Sequence, residues 1–512
     1  MSEQQATALP REATQSFDCV VIGAGITGLT TALLLAQRGL RVAVLDDSGV
    51  GLGETLRTTA HATYVLDTRF EELIKRLGRT DAQVVVAAHA RAITFMHSLA
   101  TDGGDPDCVL KMDGLLVARD EAQAEQLEKE YEAARTLNVN AQKAEGTLPL
   151  GARAGLRFSD QAAVDAGRYM TVLLKLATEQ GAQIFTDTRV EKVEEAGGTC
   201  VVHTNRGEVK AQHVVAATHT SMVNTFALHT RIIPDRTYVI AVPKPAAFPH
   251  ALVWDMDDPY HYVRPVTVDN EELLIVGGED HRVGEDPHPD DRYVHLKDFA
   301  QAYLGTHETK YQWSGQILEP VDSLPFIGTA PGYAKVYVAA AFSGNGTTWG
   351  TIAAQLISES IAGKQQALHN IVRPSRGLPV RAVGEYAHHN LDAAVHAIKD
   401  RFGLQTGLQA IALNAGVLVE RKGKKLAVYR DETGSLKAVS AVCTHLGCLV
   451  AWNQAESSWD CPCHGSRFDC DGQVVNGPAT INLARVDLND LNEDDDNQQE
   501  EPVRGTDYAN AF

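Results

Sequence analysis

The chain has 512 residues, room for two or three domains. Hydrophobic residues make up 44% and charged residues 22%, which excludes a collagen-like or wholly disordered chain. Lys and Arg number 46 against 66 Asp and Glu, and a formal charge of -20 gives no bulk grip on nucleic acid or an anionic membrane.

Residues 1–16 are polar, lack the apolar core of a signal peptide and read as a disordered lead, so the expected location is cytoplasmic. The most apolar stretch, 17–39, is broken by Asp18 and by glycines, and so reads as a buried strand-turn-helix and not as a membrane span. Residues 17–22 fit a buried parallel strand. Gly23-Ala24-Gly25-Ile26-Thr27-Gly28 follows, then a helix over 29–37 closed by Gly39 and a second strand over 41–45 ending at Asp46. In such a unit Gly23 permits the tight turn, Gly25 lets backbone approach a pyrophosphate, and Gly28 lets helix pack on strand. The helix N-terminus favours phosphate. Asp46, with Asp47 as the fallback, is placed to accept hydrogen bonds from a ribose. The pattern predicts a dinucleotide site.

A second glycine-bearing segment, 51–60, contains Arg57, Thr58 and Thr59. An NAD domain has no need of it, whereas the longer FAD must be gripped again near its flavin. Residues 232–311 alternate in the manner of strands, and period two sets Tyr260, Tyr262 and Arg264 on one face. An aromatic face with one guanidinium could hold a substrate carboxylate over the flavin. Otherwise Arg264 is exposed or paired with Asp255, Asp257 or Asp258. Residues 336–341 read as a strand, 342–348 as a turn with Gly344 and Gly346, and 349–361 as a helix whose start faces the flavin O2 side. No second strand-GxGxxG-helix unit is present, so a nicotinamide site is not expected.

These residues resemble the D-amino-acid-oxidase-like FAD enzymes of the glycine oxidase type. The likeness rests on residues 20–28, Arg57-Thr58-Thr59-Ala60, 211–217, Leu324-Pro325-Phe326-Ile327-Gly328 and the Gly344/Gly346 turn. It implies an α/β, Rossmann-like FAD domain over 17–365 with an antiparallel-sheet substrate lobe, mainly 85–150 and 232–311. Some relatives attach flavin through a His or Cys. The matching position here is Arg57, which implies non-covalent FAD; His61 is the other attachment candidate.

Arg373-Pro374-Ser375-Arg376-Gly377-Leu378-Pro379 breaks any helix and opens an interdomain linker, 366–406, with a helix near 391–402. Short β-like runs follow at 415–420, 425–430 and 436–441. Then come Cys443-Thr444-His445-Leu446-Gly447-Cys448 and Cys461-Pro462-Cys463-His464-Gly465-Ser466. Each loop offers one thiolate and one imidazole, Cys443 with His445 and Cys461 with His464. Thiolates suit ferric iron, and neutral imidazoles on a second iron raise the potential. Tetrahedral zinc is the other use of such spacing.

Residues 407–490 resemble a small all-β Rieske [2Fe–2S] domain. By that resemblance Cys443 and Cys461 bind one iron and His445 and His464 the other, while Cys448 and Cys463 match the disulfide of respiratory-type members. Ser466 can hydrogen-bond a cluster sulfide, and Phe468 stands where high-potential relatives carry Tyr, so a lower potential is expected. Cys470, Cys19, Cys108 and Cys200 have no assigned task. Residues 491–512 form an acidic tail; eight acidic and no basic residues fall between Asp487 and Glu501.

The combination predicts a dehydrogenase. An amine or amino acid gives hydride to FAD, and single electrons pass through the cluster's exposed histidine edge to an external one-electron acceptor. The alternatives are an O2-using oxidase and a non-catalytic electron carrier or redox sensor.

Overall fold

A computed structural model of the chain describes residues 7–10, 15–223, 228–286, 288–377, 408 and 411–488. The expected helix at 391–402 and the acidic tail lie outside the described residues. Gln15–Ile22 sits near the middle of a nine-stranded sheet, between Val42–Leu45 and Gly207–Ala216. It pairs with both in parallel, which requires an apolar run on both faces. Gly207–Ala216 divides its second edge: its first half pairs antiparallel with Thr199–Thr204, and its last residues pair in parallel with Val336–Ala340. That division brings residues 336–346, late in the chain, to the carboxyl end of the first strand.

The lead differs from expectation. Thr7–Ala8 pairs in parallel with Phe185–Thr186 at the sheet edge, and the first long strand begins at Gln15. Leu9 is buried, so one apolar side chain anchors this part of the polar segment. The first helix runs Ile26–Ala36 and starts earlier than expected, immediately after Gly25. It is buried on most sides, its three threonines included, and packs against Gly346–Ile361. A Cβ on Gly350 would lie 2.6 Å from Thr27 Oγ1, so a glycine permits this close helix crossing.

The second sheet also has nine strands, and all its pairings are antiparallel except that of Ala251–Trp254 with Val109–Ala118. It draws on Ala154–Val164 and Tyr311–Pro320, beyond the segments expected for the substrate lobe. Much of 85–150 is helical instead, in Arg79–Asp102 and Glu121–Thr136. Asp291–Leu304, inside the expected strand region, is also a helix. Its buried residues Tyr293, Leu296, Phe299, Ala300 and Leu304 follow a helical spacing that was present in the sequence.

The expected linker is fixed at its start. Arg376 is buried and grips Asp322 through Nε at 2.8 Å and Nη2 at 2.7 Å. Beyond it stand a three-stranded sheet (Ala415–Arg421, Lys424–Arg430, Leu436–Ser440) and a four-stranded one (Ala451–Asn453, Ser458–Asp460, Arg467–Phe468, Val474–Asn476). Among the described residues no helix is long and apolar enough to cross a membrane.

Candidate functional site

The glycine turn closes as its spacing requires. Gly23 has φ +102°, and a Cβ there would lie 2.5 Å from the carbonyl of Ala217. A Cβ on Gly28 would lie 1.8 Å from the carbonyl of Gly23, so only glycine lets the helix sit on this strand. Gly25 caps the helix with no side-chain hydrogen bond. Asp46 ties the second strand to the turn: its Oδ2 accepts from Ala24 N at 2.7 Å, and its Oδ1 accepts from Ser48 N and Gly49 N. Asp47 stands 3.4 Å from Arg189 Nε, and burial holds its carboxyl above the usual range.

These groups open onto one cavity of about 570 Å³, a volume typical of cofactor sites. Arg57, Thr58 and Thr59 line it, as do Gly344 and Gly346. Asn345, the N-cap of Gly346–Ile361, also makes no side-chain cap. Two helix N-termini thus turn partial positive charge to the same space, with Ile26 N already donating to Thr55 Oγ1 at 3.2 Å. A Cβ on Gly344 would lie 2.5 Å from Asp67 Oδ2, whereas one on Gly346 meets nothing. The open cradle, the two helix ends and the buried His61 Nε2 on its wall, which has no hydrogen-bond partner among the described residues, fit an extended dinucleotide such as FAD. His61 is held neutral by burial, its imidazole pushed down to about 3.

Tyr260 and Tyr262 line the cavity. Tyr260 precedes the strand His261–Val268 instead of lying within it. Gly277 and Gly278 make room for the pair: a Cβ on Gly277 would lie 2.3 Å from the Tyr262 ring, and one on Gly278 2.3 Å from the Tyr260 carbonyl. Tyr262 Oη meets Thr237 Oγ1 at 2.9 Å.

Arg264 departs from its expected role. It is absent from the cavity wall; its Nε donates to the Thr59 carbonyl and its Nη2 to the Val164 carbonyl at 3.3 Å. It therefore braces the flavin-gripping segment against the neighbouring strand. Asp255 and Asp257 pair with Arg119 instead, and Asp255 also with His261. A carboxyl group, that of Asp67, stands on the wall near Tyr260, with Arg69 beside it in the adjoining space. Behind it lie Asp235, Asp280 and Glu319. Burial pushes Asp235 up to about 6, Asp280 to about 7 and Glu319 to about 8, and raises Asp67 too. None of these acids stood out in the sequence, because they come from four separate segments.

At the other end of the chain the two cysteine–histidine loops meet. Cys443 and Cys461 are buried and share a hydrogen bond, which pushes the Cys443 thiol down to about 7 and the Cys461 thiol up. The rings of His445 and His464 stand 5.0 Å apart and perpendicular. His445 Nδ1 is buried with no hydrogen-bond partner among the described residues, as suits a nitrogen that faces metal. Two thiols and two inward imidazoles fit a [2Fe–2S] cluster. Cys448 and Cys463 form a disulfide across the loops. Ser466 is fully buried; it hydrogen-bonds Cys443, and its Oγ accepts from Ala479 N at 3.0 Å. Phe468 is buried too. Cys470 Sγ contacts the Ser457 carbonyl at 3.2 Å and takes no part in the centre.

The histidine edge is less open than expected, with His445 and His464 half-buried. His229, which had no local signal in the sequence, places Nδ1 3.2 Å from His445 Nε2. Its ring lies 4.9 Å from that of His445 and 6.0 Å from that of His464. Nearby, Gln316 Nε2 donates to the Gly465 carbonyl at 2.7 Å. Residues 474–480 form part of the wall of the flavin cavity itself. Glu54, within the 51–60 segment but with no assigned role, joins the two halves: it accepts from Gln316 N at 2.9 Å and from Asn476 Nδ2 at 2.9 Å.

Comparison with known proteins agrees with this geometry. The family model described as FAD dependent oxidoreductase matches residues 18–360, and that of the Rieske [2Fe-2S] domain matches residues 409–487. The Bacillus subtilis (strain 168) protein YhfW, named for a Rieske 2Fe-2S iron-sulfur centre, is 31% identical over 476 residues, covering 92% of this chain and 93% of its own. The fold of 72% of this chain is shared with glycine oxidase from Geobacillus kaustophilus (TM-score 0.59, 18% identity, 100% of that chain). It is likewise shared with L-proline dehydrogenase from P. horikoshii (TM-score 0.60, 18% identity, 72% and 98%).

Proposed function

Since this chain belongs to the FAD dependent oxidoreductase family and carries a Rieske [2Fe-2S] domain, we propose that it is a dehydrogenase for an amine or amino acid that delivers single electrons to an outside acceptor. The observation that carries this reading is the shared wall: residues 474–480 of the Rieske module line the cavity that Gly23, Gly25 and Gly344 open. Bound FAD supplies hydride acceptance and the cluster supplies one-electron storage. Gly25 and the first helix end would hold the pyrophosphate, Arg57 to Thr59 would grip the cofactor again near its flavin, and Gly344 and Gly346 would contribute the second helix end to its cradle. Tyr260 and Tyr262, both on the cavity wall, would shape the substrate space and exclude water from it. Asp67 beside them favours a donor that arrives with a cationic or hydrogen-bonding amine, and its raised affinity for protons lets it take one from that amine. Cys443, Cys461, His445 and His464 hold the irons. The chain acts in the cytoplasm.

The test is an anaerobic titration of the holoprotein with a panel of amines and amino acids, following flavin absorbance and the cluster's EPR signal. Bleaching of flavin followed by appearance of the reduced-cluster signal is expected. Rapid H2O2 release in air with the cluster still oxidised points to an oxidase instead. A panel that bleaches nothing, with reduction only by a protein donor, points to an electron carrier.

A further inference from the structure

The end of the Rieske module that bears His445 and His464 is seated on the flavin lobe. We propose that His229 fixes this seat, so that the histidine edge of the cluster is the inlet for electrons from the flavin and the outside acceptor uses another face. The inference rests on the reading of the chain as a two-cofactor oxidoreductase.

Three sets of contacts carry it. First, His229 Nδ1 reaches His445 Nε2 at 3.2 Å, on the ring edge opposite the buried, metal-facing Nδ1. Second, the seat is close: a Cβ on Gly465, next to His464, would lie 2.5 Å from Pro234 Cβ, and a Cβ on Gly284 would lie 3.0 Å from Pro462. Pro234 and Gln316 thus pack directly on the loop that bears His464, and His445 and His464 are left half-buried. Third, a short bonded path leads away from it. Gly465 accepts from Gln316 Nε2, and Gln316 is itself on the flavin cavity wall.

His229 is a positioning residue: no bond forms or breaks at it. Each passage moves one electron from reduced flavin to the oxidised cluster. The two electrons of a reduced flavin leave in two passages, the outside one-electron acceptor empties the cluster between them, and the flavin proton goes to water.

The experiment uses the full-length holoprotein with flavin reduced by light and a sacrificial donor under anaerobic conditions. Photoreduction bypasses the substrate, so a chain that oxidises no amine can still pass or fail this test. His229→Phe is expected to slow the rise of the reduced-cluster EPR signal by about tenfold, the scale of one lost strong hydrogen bond, and to shift the cluster's potential. His229→Gln, which keeps a polar head, is expected to restore most of the rate. A His229→Phe protein with full flavin and iron content and unchanged rate and potential overturns the proposal. A second measurement needs no variant. In the intact wild-type protein, His445 and His464 are expected to resist diethyl pyrocarbonate, read by peptide mass spectrometry. Rapid modification of either shows an open edge and overturns the proposal even if His229→Phe fails to assemble.

Discussion

Arg236 of the flavin lobe and Glu456 of the Rieske module meet at 2.6 Å, and Arg236 has no exposed surface. Glu456 also lies 3.5 Å from Arg467, which is buried against Asp460 at 3.0 Å. The result is a buried chain of alternating charges across the domain boundary. Removing one member leaves its partner uncompensated in a dry site, at a cost of about 3–5 kcal/mol. Glu456→Ala is therefore expected to lower the denaturation midpoint and make the two modules unfold in separate transitions, read by calorimetry. A single transition at the wild-type temperature would count against this account.

The close approach at Gly28 predicts loss of flavin. Gly28→Val must push the helix off its strand, because even a Cβ would overlap the Gly23 carbonyl. The purified variant is expected to lack the flavin absorbance bands yet retain its iron, since the cluster loops are built elsewhere. Retention of both cofactors at wild-type ratio would refute the packing argument.

The first βα unit and the Cys–His loops were legible in the sequence because each is local: six residues from Gly23 to Gly28, and two loops of six. Arg264 was misread for the opposite reason. Period two fixes the face on which a strand residue lies but not which carbonyls neighbouring segments bring to it, here those of Thr59 and Val164. The acids around Tyr260 and the imidazole of His229 come from segments far apart in the chain, so only the tertiary fold assembles them.

Arg264→Met follows from that correction. The variant is expected to weaken flavin retention, because the turn at Thr59 loses its brace, while leaving the order of preference among substrates unchanged. Equilibrium dialysis of FAD and relative kcat/KM values separate the two effects. A selective loss of carboxylate-bearing substrates would return Arg264 to the substrate site.

Ser466 bears on the cluster's potential. Its hydroxyl reaches Cys443 and is held in place by Ala479 N. Ser466→Ala removes one hydrogen bond to the electron-rich side of the centre, and a fall of about 60 mV corresponds to a tenfold change for a one-electron couple. Phe468→Tyr is expected to move the potential upward. Protein-film voltammetry on both variants reads the two directions.

Glu319 gives a pH dependence with a defined sign. Burial, then the neighbouring Asp67, pushes its carboxyl up to about 8 from an ordinary 4.5. The folded state thus holds a proton that the unfolded state releases between those values. Stability contributed by this group is present at low pH and is lost as pH rises from about 5 towards 8. Glu319→Gln is expected to flatten that part of the urea-denaturation profile. An unchanged slope between pH 5 and 8 would place the proton elsewhere.

The wall formed by residues 474–480 also bears on how the protein is made. A ribosome finishes the glycine turn, the Arg57 segment and the Gly344 turn well before it reaches these residues, so the nascent flavin pocket is open on one side. It closes only when the C-terminal module has folded around its irons and docked. Flavin retention is thereby expected to depend on iron–sulfur delivery, so that chains made under iron shortage hold their flavin loosely.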